Sequence, residues 1–513
     1  MFNTSTAGRV ALKATPLLGC AAIAMSSAAF AASTVNGIAH RSAVPVRAHR
    51  FATSVTLYGG GATLPAYAYE GTQAFTTNPG TSPFAAGTVF GQLLKKSDKG
   101  DAIQYCQTGS GYGKGVLNGL NPATGACAAL GASPTGFGVP SAAQNYADFS
   151  GSDSPVSQSD YSALMTGPLS GRGEFVQVPY IAGSVAIFYN NSSLDGSSQL
   201  ELTPQTLCKI ADGQITNWDQ IPVNPASPSG ATYPAKNLTW VYRYDGSGTT
   251  FSFGNYLSAL NVSGGAPSHC TKIQNYGLSQ VYDPLNNSKG SSGGYGVLPS
   301  NATEKSNYLA GSGNPGVIEC ILATSGSQCY NNDALVAAVG DGSIGYVEAA
   351  NAQQYVNNSA GQNYADLYVV TENGPKVYDP IKNLPAAAAQ VTTAMVNMVV
   401  APSSPGGRPN PDVVAVTGST GNCLGIVDPA SYDNIKQGYP IIAVTNLEFT
   451  SVGNGAKVTA LQNLATFTDT TNFPNDGITY VNRAGAAVAG TTGYSEIKLP
   501  VNDITTLASC IGS

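Results

Sequence analysis

From Leu238 to Tyr242 the chain alternates apolar and mixed positions, as a half-buried strand does, and beyond Thr250 the apolar residues Phe253, Tyr256, Leu257 and Leu260 recur at the spacing of one helix face. Arg243-Tyr-Asp245-Gly-Ser247-Gly248-Thr249-Thr250 lies between the two patterns and is therefore a strand-to-helix turn. The same order is expected twice upstream. The apolar run Val55–Tyr58 enters Gly59-Gly-Gly-Ala-Thr63-Leu64-Pro65, and Gly109-Ser110-Gly-Tyr-Gly113 follows a short extended run that begins near Ile103. Phe175–Tyr189 reads as a long apolar strand, Thr203-Pro204 opens a short helix that Gly213 ends, with Trp218 anchoring the loop beyond it, and Tyr439–Phe449 is a further apolar run. Repeated alternation of strand, turn and helix predicts an α/β fold.

The turns carry the candidate chemistry. Glycine lets backbone approach a ligand closely, Ser247 and Thr249 offer hydroxyls, and the first N–H groups of a helix point outward, so an oxyanion suits the turn at 243–250. Arg243 adds a planar fork that fits two oxygens of one anion, and Asp245 is spaced to hold that fork. On its own the segment also reads as a plain helix cap beside a surface ion pair. Asp153 stands among small residues in Phe149-Ser-Gly-Ser-Asp-Ser-Pro155, a setting that an Asx-turn would also explain. Two other likenesses fail. Lys114 is followed by glycine and Thr108 occupies the first glycine position of a nucleotide P-loop, while Gly290–Gly294 matches Gly-x-Ser-x-Gly without a strand before it or a helix after it.

Composition adds context. With 513 residues and 42% hydrophobic positions the chain has room for more than one folded unit, and only 10% of residues are charged against 60 glycines. Arg9 and Lys13 precede an apolar stretch closing on Ala29-Phe30-Ala31, so residues 1–31 are expected to be a secretory signal. A lipoprotein box at Leu17-Leu-Gly-Cys20 is the second choice, since it leaves almost no apolar run after Lys13. Residues 32–53 read as a basic linker. Without the signal, 21 basic residues face 29 acidic ones, and nothing in the balance points to nucleic acid. Of nine cysteines, eight then remain, an even number that suits disulfides in an exported protein, with Cys106–Cys127 and Cys320–Cys329 the pairs of shortest loop. No Cys-x-x-Cys occurs and only three histidines exist, so no metal or other cofactor is expected.

Taken together and in order, several of these segments resemble the phosphate-binding proteins of the bacterial phosphate-specific ABC transporter, and within them the DING branch. Gly59-Gly-Gly-Ala-Thr63-Leu64-Pro65 is similar to the N-terminal anion loop of that branch, Gly109-Ser110 to its second loop, Phe149–Ser157 to the segment with its buried acid, and Arg243–Thr250 to its central motif. Ile215–Asp219, Gly342–Glu348 and Gly438–Asn446 recur in the same places. The resemblance implies oxyanion contacts from the N–H groups of Thr63 and Leu64 and from Ser110, Asp153, Arg243, Ser247, Gly248 and Thr249, with Asp245 in support. It implies a two-lobed type II periplasmic-binding-protein fold with a two-stranded hinge near Val178–Ala182 and Tyr439–Val444 and a ligand cleft between the lobes. Lobe I would comprise 54–180 plus 440–513 and lobe II 181–439, with insertions near 264–313 and 351–436. The expected role is a monomeric, periplasmic or secreted receptor that binds inorganic phosphate and hands it to an ABC permease. The alternative is a secreted DING-type alkaline phosphatase with Ser247 or Thr63 as nucleophile, although no histidine is placed as a base. Departures are the added length and the Tyr after Arg243.

Overall fold

The structure is a computed structural model that describes residues 54–71, 80–81, 84, 88–96, 100–127, 136–140, 144–194, 199–211, 213–262, 307–324, 328–331, 334–371, 373–391, 395–397, 423–427, 435, 437–466, 480–481, 487–488, 493–497 and 501–512. The expected signal and linker, Gly290–Gly294, and most of the insertion near 264–313 lie outside the described residues.

One strand organises the molecule. Phe175–Asn190 runs for 16 residues, all of them buried. A strand buried on both faces reads as an unbroken apolar run, which is what Phe175–Tyr189 shows. Residues 175–184 pair antiparallel with Ile442–Thr450, and from Val185 onward the strand pairs antiparallel with Ser343–Glu348 instead. The exchange of partners at Ser184–Val185 splits the sheet into two halves that share this strand. On one side Ile442–Thr450 is followed by Phe149–Ser152, Thr56–Gly61 and Ala102–Gln107. On the other, Ser343–Glu348 is followed by Thr239–Arg243 and Tyr308–Gly311. This is the α/β, two-lobed type II binding fold, with a cleft between the lobes and the chain crossing it along paired strands.

Within each lobe the strands that carry the glycine turns are parallel. Thr56–Gly61 lies parallel to both Ala102–Gln107 and Phe149–Ser152, and Thr239–Arg243 lies parallel to Ser343–Glu348 and Tyr308–Gly311. Their carboxyl ends therefore point one way, toward the place where open α/β sheets bind ligands. Helices Ser110–Leu117, Gly248–Val262 and Gly313–Leu322 start directly after these ends. Phe253 stacks on Tyr346 at 4.6 Å between ring centroids with Trp240 beside both, which presses the helix that follows Ser247 onto its sheet. In the other lobe Tyr69, Phe90, Tyr105 and Phe149 form an aromatic core, and Tyr105 Oη donates to the carbonyl of Ala62 at 2.8 Å, just under the first turn.

The disulfides Cys106–Cys127 and Cys320–Cys329 occur as the short loops predict, and Cys423–Cys510 closes a third, long loop. Part of the region 351–436, which composition marks as loose, is regular. Gln362–Thr371 adds a strand to the far end of Phe175–Asn190 and makes a hairpin with Gly374–Tyr378, and Leu384–Val391 is helical. Its alanine-rich stretch hides this, because alternation is confined to the few residues that pair. No helix among the described residues is long and apolar enough to cross a membrane.

Candidate functional site

Five turns meet where the two lobes touch. Thr63 and Leu64 follow the first strand, Gly109 and Ser110 the second, and Asp153 the third, all from one lobe. Arg243 to Thr249 and Ser312 to Asn314 come from the other. Most of these side chains are deeply buried: Thr63, Ser110, Asp153, Arg243, Ser247, Thr249 and Asn314 are each at most 2% exposed, while Asp245 keeps 14% of its side chain exposed. Contact between lobes is direct. Gly111 N donates to the carbonyl of Gly246 at 2.9 Å, and Asn314 reaches Thr63 Oγ1 from both its backbone N and its Nδ2, at 3.3 and 3.2 Å.

Two glycines are required by this approach. Gly109, the residue before helix Ser110–Leu117, has φ +89°, and a Cβ there would lie 2.2 Å from Asp245 Oδ2. Gly248 packs on the backbone of Asp153, where a Cβ would meet Asp153 Cβ at 2.5 Å and its C at 2.7 Å. Gly248→Ala is therefore expected to hold the lobes apart. Overpacking of this kind costs about 1–3 kcal/mol, so ligand affinity should fall about tenfold or more while the ligand-free melting temperature stays near that of the parent. Calorimetric titration beside a melting curve checks it, and an undiminished affinity would contradict the close packing.

Arg243 is held by its neighbours. Nε and Nη2 donate to the two oxygens of Asp245 at 2.8 and 2.5 Å, and Nη1 donates to Thr249 Oγ1 at 3.2 Å and Asn314 Oδ1 at 3.3 Å. Asp245 accepts further from Gly313 N at 2.8 Å, so it ties the turn to the next helix. The sequence suggests a fork open to two oxygens of a ligand. In the structure Asp245 occupies the Nε–Nη2 edge, and of the five guanidinium hydrogens one on Nη2 is left for the cleft.

The hydroxyls are arranged alike. Thr63 Oγ1 accepts from Asn314, Thr249 Oγ1 from Arg243, Ser247 Oγ from Thr250 N at 3.1 Å, and Ser110 Oγ from Asp153 N at 3.1 Å. Thr63 Oγ1, with an N–H donor on each of its two lone pairs, has only its proton to offer, while Ser110, Ser247 and Thr249 each keep one lone pair beside theirs. Ser110 directs its proton to Asp153 Oδ2 over a long 3.5 Å. The backbone N–H groups of Thr63, Leu64, Ser110, Gly248 and Thr249 find no acceptor among the described residues. Buried N–H groups are nearly always paired, so a converging set of unpaired ones marks the seat of an acceptor-rich ligand. The N-termini of helices Gly248–Val262 and Ser110–Leu117 add their partial positive charge.

Asp153 is the exception in this donor field. Thr445 Oγ1 donates to its Oδ1 at 2.7 Å, yet burial outweighs that bond and the attraction of Arg243 and pushes its pKa up to about 7. The buried carboxyls of Glu70, Glu348 and Glu448 are likewise pushed up to about 8 by burial. A carboxyl whose folded pKa lies above its unfolded one contributes stability that is fully present below the unfolded value and is lost as pH rises through the folded value. The ligand-free protein should therefore melt at a higher temperature at pH 6 than at pH 9, read by calorimetry in matched ionic strength. A melting temperature that rises toward pH 9 would contradict the burial of these groups.

All nine predicted site residues thus come together, Thr63, Leu64, Ser110 and Asp153 from one lobe and Arg243, Asp245, Ser247, Gly248 and Thr249 from the other. Sequence reasoning passed over Asn314, Thr445, Glu348 and Tyr494. Tyr494 Oη donates to Leu64 O at 2.8 Å and lies 3.4 Å from Glu348 Oε2, across the lobe boundary. Pro315, in the first turn of the helix after Ser312, is the signal that could have drawn attention to Asn314 as part of another helix start.

Fold and site together define a two-lobed α/β fold of the type II binding class with a cleft lined by hydrogen-bond donors. A family model described as PBP superfamily domain matches residues 95–399, and the chain belongs to that superfamily. Phosphate-binding protein PstS 3 of Mycobacterium leprae is 31% identical over 181 residues, 35% of this chain and 40% of that protein. Alkaline phosphatase L of Pseudomonas aeruginosa is 29% identical over 253 residues, 45% of this chain and 52% of that protein. The chain spans about half the length of the curated relatives it matches. Among solved structures, an ancestral soluble variant of the Human Phosphate Binding Protein superposes with a TM-score of 0.52 at 22% identity, covering 88% of this chain and 92% of that one.

Proposed function

We propose that this protein binds inorganic phosphate reversibly in the cleft and acts outside the cytoplasmic membrane as the receptor of a phosphate-uptake ABC transporter. The observation that carries the reading is the mismatch inside the cleft: a shell of N–H groups without acceptors and of hydroxyls that already accept from N–H donors and have protons to give, interrupted by one buried carboxylate that can accept. A tetrahedral oxyanion that keeps one proton fits both parts, and phosphate near neutral pH is such an ion. Relatives named as phosphate-binding proteins support the assignment.

In this reading residues 54–180 and 440–513 form lobe I and residues 181–439 lobe II, and closure about the crossing strands buries the ion and changes the face presented to a permease. Export by way of the segment 1–31 belongs to the same proposal. Binding is preferred over phosphatase turnover because Ser247 and Thr63 accept hydrogen bonds from N–H donors, and no base among the described residues takes their protons. Calorimetric titration of the protein with phosphate and with sulfate tests it. Tight phosphate binding with weak sulfate binding is expected, and equal affinities would sink the proposal.

A further inference from the structure

The structure assigns Asn314 as a positioning residue that makes Thr63 Oγ1 an obligatory hydrogen-bond donor to the ligand and joins that donor to Arg243 across the closed cleft. The inference rests on the phosphate reading and deepens it. Asn314 lies second in helix Gly313–Leu322, is completely buried, and belongs to the lobe opposite Thr63. Its orientation is fixed by what surrounds it. Glu348 N and Arg243 Nη1, groups that can only donate, both approach Oδ1 at 3.3 Å, so the amide nitrogen must face Thr63.

Two N–H donors, Asn314 N and Nδ2, converge on Thr63 Oγ1 at 3.3 and 3.2 Å. A threonine hydroxyl has two lone pairs and one proton. With both lone pairs occupied the proton is directed away from Asn314, and no other described residue accepts it. Thr63 can thus serve an unprotonated ligand oxygen and cannot accept from a protonated one. The ligand's proton is left to Asp153, so the two residues fix opposite ends of its orientation. The bonds to Thr63 cross the lobe boundary and exist only when the cleft is shut, whereas those to Arg243 and Glu348 stay within one lobe. One amide therefore senses closure and holds the cation that the anion meets.

A double-mutant cycle on the full chain tests this with inorganic phosphate as the probe. Asn314→Ala, Thr63→Val and the double variant are compared in affinity and dissociation rate. If Asn314 acts through the Thr63 hydroxyl, the effects are non-additive by about tenfold or more, a coupling typical of residues in one hydrogen-bond network. The loss in Asn314→Ala should fall on the dissociation rate. It should also be smaller at pH 5.5 than at pH 8, because a freed Thr63 can then accept from singly charged, doubly protonated phosphate. Effects that add within about threefold, with no change in pH profile, would overturn the inference while leaving phosphate binding intact. If the unmodified protein binds no phosphate, the functional proposal fails and this inference with it. Asn314→Asp keeps the shape and the Oδ1 acceptor, and carries the same cycle under the same criterion if the alanine variant does not fold.

Discussion

Arg243→Ala is expected to weaken phosphate binding by about two to three orders of magnitude, the largest loss of any single change at the cleft. The magnitude follows from what is left behind. Arg243 is 2% exposed and satisfies both oxygens of Asp245 together with Thr249 Oγ1 and Asn314 Oδ1. Truncating one member of such a buried pair costs about 3–5 kcal/mol, because the partner charge remains without compensation. Here that charge is negative and stands beside the seat of an anion, so the penalty grows when the ligand arrives. Arg243→Lys keeps the charge but not the geometry, since one ammonium cannot span Asp245 on one edge and Thr249 and Asn314 on the other, and an intermediate loss is expected. Titration calorimetry on both variants, with circular dichroism as a check on folding, provides the measurement. An alanine variant that binds within about threefold of the parent would remove Arg243 from the site and with it the central step of the functional proposal.

How much of this was visible in the sequence depends on the residue. Strand-to-helix turns were legible because periodicity changes across them, as at Tyr242 and Phe253, and because glycine must stand where lobes or ligand approach, as at Gly109 and Gly248. The two short-loop disulfides were legible for the same local reason. Asn314 was not, since an asparagine within Gly311–Gly316 is unremarkable until the opposite lobe brings Thr63 against it. Thr445 and Tyr494 were hidden likewise: their partners, Asp153 and Leu64, lie hundreds of positions away in the chain. The open fork expected of Arg243 differs from the observed one because spacing fixes that Asp245 can reach the guanidinium but not which edge it takes. The regular structure in 351–391 escaped because its strand Gln362–Thr371 draws its order from the hinge strand beside it, not from a pattern of its own.

Asp153→Asn should narrow the preference for phosphate over sulfate, and sulfate binding by the unmodified protein should strengthen as pH falls. Both follow from one carboxyl. When ionised, Asp153 accepts the proton that phosphate keeps, whereas sulfate brings none and would set a bare oxygen against a bare carboxylate, each buried and unpaired. Burial, opposed by Thr445 and Arg243, pushes the Asp153 pKa up to about 7 in the ligand-free closed form. Below that pH the carboxyl carries its own proton and can donate to sulfate. Above about pH 7 sulfate must bring one proton onto Asp153 to bind, so its affinity climbs by about tenfold for each pH unit lowered toward 7 and levels off below it, where the carboxyl is already protonated. An amide at this position donates at every pH, so Asp153→Asn should bind sulfate with no such slope and bind phosphate less well than the parent does. Titrations with the two ions at pH 5.5, 7 and 8.5 separate the cases. A phosphate-to-sulfate ratio unchanged by the substitution, or sulfate binding indifferent to pH in the parent, would mean that the cleft discriminates by the geometry of its donors and that Asp153 serves only to hold Ser110 and Thr445 in place.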